Sequence, residues 1–208
     1  MATKNKPLVP DRQQKIADRR DQIIAAARLC FRKHGFHGAG MAEIAAQSQL
    51  SVGQIYRYFT NKEAIIEEIA HRIVKHRVQL MLDNDNNLEH MASALADHRL
   101  LDGDETEINQ ALMLEVSAEA TRNPRIARIL LDVDAVLFRE GCKMLMQAYP
   151  QMSHDAAASL AELMAVLTEG TMLRILTQQR QTTHKGLQQI YLNLFSAVFP
   201  ARPETAPE

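Results

Sequence analysis

The sequence predicts an all-α protein of about nine helices: an N-terminal three-helix domain with a helix-turn-helix, then a larger helical C-terminal domain. Three observations predict it. Apolar residues recur at helical spacing along most of the chain, period-two runs of Val and Ile are missing, and 8 Gly and 7 Pro in 208 residues leave few breaks. Next, Gly35–Glu63 compresses two short helices and the start of a third, too little to form a core alone. Finally, a net charge of −1 hides a split. Residues 1–62 hold 11 Lys and Arg against 4 Asp and Glu, a net of +7; residues 63–208 hold 13 against 21, a net of −8. Only one end is built to meet a polyanion, although a charge run by itself is as often a solvated face.

Taken in order, residues 1–10 read as a flexible basic arm, with Lys4 and Lys6 as candidate DNA contacts. Residues 11–62 form the helix-turn-helix domain. Asp11 to His34 is its first helix, with Ile16, Ile23, Ile24, Ala27 and Phe31 as the buried stripe and Arg12, Lys15, Arg19 and Arg20 near its start. Gly35 stops it. Met41–Gln47 is the second helix. Ser51 opens the third through an S-x-x-Q capping box with Gln54, and Thr60 with Glu63 repeats the device as T-x-x-E. Val52, Ile55, Tyr56 and Phe59 are the apolar side chains of the third helix.

Residues 63–200 form the second domain. Asn61 to Leu82 is one long helix with Ile65, Ile66, Ile69, Ile73 and Leu80 on its apolar side, ended by D-N-D-N-N. Helices follow at Leu88–Leu101, Thr106–Arg122, Pro124 to about Tyr149, Asp155–Gln179 and Lys185–Phe199. Asn123 caps the third of these, with Pro124 at its first position. Asp155–Gln179 is apolar on two sides and must bury both. Residues 201–208 read as a flexible tail.

A short second helix in such a motif fits a DNA groove. Val52, Gln54, Arg57 and Tyr58 can be spared from packing. Gln54 is the candidate base reader, because its amide pairs with N6 and N7 of adenine, and Val52 suits a thymine methyl. Lys62, a cation beside the exposed N–H end of a helix, suits a phosphate.

The run S-V-G-Q-I-Y-R-Y-F-T-N-K-E-A-I, preceded by A-A-R-L-C-F-R-K-H-G-F, resembles the DNA-binding segment of the TetR/AcrR family of bacterial transcriptional regulators. The motif match spans Asp21–Ile66, and E-V-S-A-E-A-T-R-N-P is similar to a run in some members. The resemblance implies phosphate contacts by Tyr56, Tyr58 and Lys62. It implies a homodimer formed by the last two helices, here through Leu163, Val166, Leu173, Leu187, Tyr191, Leu194 and Phe195. It also implies an effector cavity in the second domain. Met113, Phe138 and Met164 are candidates for its wall, and Glu115, Thr168 and Thr171 for its polar groups. Two residues depart from the family pattern. Gly40 stands where a Ser or Thr cap is usual, and Gln49 stands where the turn favours Gly.

No catalytic or metal signature is present, and Glu68-x-x-His71 has no second copy to complete a di-iron site. No cofactor is expected. The N-terminus lacks an apolar signal core, no stretch reaches 18 apolar residues, and a cytoplasmic protein is expected. Cys30 and Cys142 read as buried small hydrophobes rather than a bridge. The expectation is therefore a repressor that reads a roughly palindromic double-stranded operator as a homodimer and is released by a small-molecule effector, with no membrane role. An activator or architectural dimer without an effector is the alternative. A helical small-molecule enzyme is the more distant one.

Overall fold

The computed structural model describes residues 12–83, 88–97, 104–179 and 184–200, and these contain nine α-helices and no strand. They are α1 (Arg12–Gly38), α2 (Met41–Gln47), α3 (Val52–Ile55), α4 (Lys62–Asp83), α5 (Leu88–Ala96), α6 (Asp104–Ala120), α7 (Pro124–Ala148), α8 (His154–Leu176) and α9 (His184–Val198). The expected arm, the tail, most of D-N-D-N-N and the stretch around Leu101 lie outside the described residues. The chain divides into two units, Met1–Ile69 and Ala70–Glu208, with α4 running through the division.

In the N-terminal unit the buried side chains include Ile23, Ile24, Ala27 and Phe31 of α1, Phe36, Ala39, Ile44, Ala45, Ile55, Phe59, and Ile65, Ile66 and Ile69 of α4. Ile16 is 43% exposed, because packing on α1 begins at Ile23, about two turns further on. The helical path of α1 breaks at Gly35, whose φ of 68° is open to glycine and costly for other residues. One turn follows, carrying Phe36 back against Phe31 with 5.6 Å between ring centroids. The start of α4 departs from expectation. Asn61, not Thr60, is the cap: its Oδ1 accepts the Ala64 N–H at 2.9 Å.

In the C-terminal unit α5 packs on α9, α7 on α8, and α6 on α7 and α8. One core joins Ala92 and Leu95, Cys142, Tyr149 and Met152, Ala157 and Leu160, and Phe195 and Phe199. Its aromatic side chains meet tilted, stacked and edge-on at 5.8–6.2 Å, favourable geometries for ring quadrupoles. The Asn123 cap and Pro124 start of α7 are as read from sequence. Ser153 caps α8 by accepting the Ala156 N–H, so the helix begins at His154. Both cysteines are free and buried, and burial pushes both thiols up from their ordinary range.

Candidate nucleic-acid interface

Three helices and one turn build the candidate surface. Helix α2 ends in a Schellman motif: the Leu50 N–H donates to Ala45 O, and the Gln49 N–H to Ala46 O. That geometry puts Gln49 at φ 56°, the left-handed region where the family prefers Gly. Two further bonds fix the turn. Buried Ser48 donates its hydroxyl to Ala45 O at 3.1 Å, and Gln22 of α1 donates its side-chain amide to Ser48 O at 2.6 Å. At the other end of α2, Gly40 caps without a side-chain bond, and nothing lies within 4 Å of where its Cβ would stand.

Helix α3 is short because one turn suffices to present its face. The capping box is complete: the Gln54 N–H donates to Ser51 Oγ at 3.2 Å, and the Ser51 N–H donates to Gln54 Oε1 at 2.8 Å. Ile55 and Phe59 point inward and are buried. The helix therefore turns Val52, Gly53, Gln54, Tyr56 and Arg57 outward, with Tyr58 half-buried. Val52 is 36% exposed and Tyr56 51% exposed, so neither supplies the packing expected of an apolar residue here. Both are surface groups on the outward face. No crowding surrounds Gly53, which leaves the backbone open to close approach.

Two cations face inward. Arg20 donates to Tyr58 O at 3.1 Å, pairs with Glu68 at 2.6 Å and stacks 4.5 Å above the Phe59 ring. It clasps α1, the end of α3 and α4 together. Lys62 donates to Phe36 O at 2.6 Å and Ala39 O at 3.1 Å, with its ammonium 4.4 Å from the Phe36 ring centre. The spare donor expected for a phosphate is thus largely committed to the loop before α2. Exposed Arg57 makes no ion pair with a described residue.

The groove found in the C-terminal unit takes in one of the six effector candidates, Phe138. Thr171 is buried, and Met113, Met164 and Thr168 are half-buried. The Thr168 hydroxyl is spent on Met164 O and Ala165 O of its own helix. Glu115 is exposed. Phe138 lines a groove of about 310 Å³ with Arg139, Cys142, Lys143, Met146 and His154, and no other candidate lines it. Sequence reading missed a half-buried cation. Arg77 of α4 donates from Nη2 to Gln110 Oε1 at 2.6 Å and to Met172 Sδ at 3.2 Å. The available signal was an Arg among apolar residues on α4, which reads in sequence as an ordinary surface cation.

Among the dimer candidates, Val166 and Leu173 of α8 are exposed at 59% and 42%. Phe195 is wholly buried in its own protomer's core, so it backs the face without forming it. Leu163, Leu187, Tyr191 and Leu194 are half-buried, and all but Leu187 pack on that core. The exposed apolar residues of α9 are instead Ile190 and Val198. Over 18 residues α8 has a mean hydropathy of 1.3, which meets the length and composition condition for a membrane span, yet only 17% of that window is buried.

Comparison with known proteins decides what this unit is. The family profile described as bacterial regulatory proteins, tetR family, matches residues 23–69, from mid-α1 through the turn into α4. The chain belongs to the TetR family. Its relatives include the nicotine-responsive transcriptional repressor HdnoR of Paenarthrobacter nicotinovorans, 25% identical over 82% of this chain and 90% of the relative. The regulator UidR of Escherichia coli K12 is 31% identical over 53% of this chain and 56% of the relative. Among solved structures, Salmonella enterica GusR aligns with a TM-score of 0.68 at 22% identity, covering 95% of this chain and 99% of that one. A regulator from Saccharomonospora viridis, solved in complex with choline, aligns at 0.66 and 21% identity over 86% and 96%. This TetR-family chain is a helix-turn-helix transcriptional regulator that acts on DNA and is not an enzyme.

Proposed function

We propose that the protein is a repressor in the cytoplasm, holding a roughly palindromic operator as a homodimer until a small molecule binds the C-terminal unit. The observation that carries the DNA half is the outward face of α3. Polar and aromatic side chains stand exposed there, while Ile55 and Phe59 anchor the helix from behind. In this reading Gln54 reads a base, Val52 meets a thymine methyl, and Tyr56, Tyr58 and Arg57 hold phosphates. Lys62 acts mainly by holding the loop before α2. The two copies of α3 must stand about 34–36 Å apart to enter successive major grooves.

Exposed Val166 and Leu173 of α8, with Ile190 and Val198 of α9, support pairing of the last two helices with a second copy. A helix as apolar as α8 and so little buried needs such cover. HdnoR is nicotine-responsive and the Saccharomonospora viridis protein holds choline, which supports a small-molecule signal here as well. The effector favours a conformer in which α4 has moved and the spacing of the two α3 helices is wrong. It shifts operator affinity only by its differential binding to the two states.

The test is Gln54→Glu. Glutamate keeps the acceptor for the Ser51 N–H and the helix start with it, but cannot donate to adenine N7. Binding to the selected operator should fall by about 1–3 kcal/mol while the melting temperature holds. Equal loss on specific and random duplexes contradicts the base-reading role.

A further inference from the structure

We infer that Arg77, with Gln110, binds the carboxylate of a small, largely apolar acid; this rests on the effector reading above and names the ligand class. Arg77 is half-buried among α4, α6 and α8, and its guanidinium stays charged at any ordinary pH. Burial pushes its pKa down, and the charge of Glu169 pushes it back up. Yet among the described residues no carboxylate hydrogen-bonds to it. Its acceptors are the neutral amide oxygen of Gln110 and the thioether of Met172, a weak acceptor, and Nε and Nη1 have none among the described residues.

The surroundings fit an oxyanion. A carboxylate displacing the Met172 sulfur would accept from Nε and Nη2 side-on while Gln110 keeps its bond, a stronger arrangement than the thioether provides. Glu169 already offsets part of the Arg77 charge, which disfavours a phosphate dianion relative to a monocarboxylate. One helical turn from these groups, half-buried Met113 on α6 and Thr168 on α8 leave room for little further polarity, and Met172 is adaptable enough to give way to the apolar body.

The test uses the full chain and two probes of one shape, 4-fluorobenzoate and 4-fluorobenzamide, titrated by fluorine NMR. The acid should bind about tenfold more tightly than the amide, as loss of a charged hydrogen bond predicts. Arg77→Met should bring the acid down to the amide's affinity and leave the amide unchanged. Should that variant fail to fold by circular dichroism, Gln110→Leu, which removes the acceptor that holds the guanidinium, should lower the acid's affinity by a smaller factor without touching the amide's. Equal binding of acid and amide, no binding of either, or an acid affinity untouched by the variant overturns the inference. The same probes, and neutral analogues, are then tested for release of a fluorescent operator. Acid binding that requires Arg77 without release of DNA by any compound would leave the site standing and remove the effector reading. Release by a neutral compound with no preference for the acid would do the reverse.

Discussion

The inward-facing cations of the two units meet unlike partners. In the N-terminal unit, Arg20 and Lys62 find a carboxylate, three backbone carbonyls and two aromatic rings. In the C-terminal unit, Arg77 finds an amide and a thioether. The first set completes a scaffold whose working groups lie on the opposite, exposed face of α3. The second leaves a half-buried guanidinium hydrogen-bonded, among the described residues, only to neutral groups, with its charge offset through the field of Glu169. A surface that binds a rigid polyanion can be finished before its ligand arrives. A pocket that must respond to a ligand keeps part of its hydrogen bonding for that ligand.

The largest effect that could break this comparison is at Arg20. Arg20→Met removes a charged hydrogen bond, a carbonyl bond and a cation–π contact, and should cost about 2 kcal/mol in urea unfolding of the full chain. An unchanged midpoint would mean that the clasp is not structural. Lys62→Met comes next, at about 1–2 kcal/mol of stability. Its DNA binding should keep nearly the salt slope of the wild type. Unchanged stability with a slope lower by about 1 would return Lys62 to the phosphate role that its place in the sequence suggests.

A smaller pair of effects compares the units directly. Helices α2 and α8 both end in Schellman motifs, with Gln49 at φ 56° and Gln178 at φ 51°. Gln49→Gly and Gln178→Gly should each stabilise by about 1 kcal/mol, because glycine carries no left-handed penalty. A gain at Gln178 alone would show that the Gln49 turn is stabilised by a side-chain contact that glycine lacks. The smallest effect is at Gly40. Gly40→Ser supplies the missing cap without a clash and should add only a few tenths of a kcal/mol, about 0.3, on thermal melting.

What was legible follows the range of the interactions. Helix positions come from spacing within one element, so α2 and the caps at Ser51 and Asn123 could be read directly. Asn61 displaced Thr60 as a cap because two adjacent residues both carry a suitable oxygen, and only the backbone path decides between them. The face of α3 was half legible. Its residues were named, but the outward turn of Tyr56 depends on Ile55 and Phe59 both finding the core. The carbonyl partners of Lys62 were not legible, since Phe36 O and Ala39 O lie more than 20 residues away and belong to the backbone, which sequence patterns do not mark. Phe195 shares the periodicity of the exposed α9 residues closely enough that only the packing of α5 shows which side faces the core. Arg77 was missed for the same reason: its burial is set by α6 and α8, not by its neighbours in the chain.

The central claim is that two copies of α3, on one homodimer, read DNA. Selection from random duplexes with the purified full chain at fixed, near-physiological salt tests it most directly. The predicted result is an enriched inverted repeat with half-site centres about one helical turn, or a multiple of it, apart. Enrichment of a lone half-site would contradict the dimer, and only weak, salt-sensitive binding without enrichment would contradict sequence reading by α3.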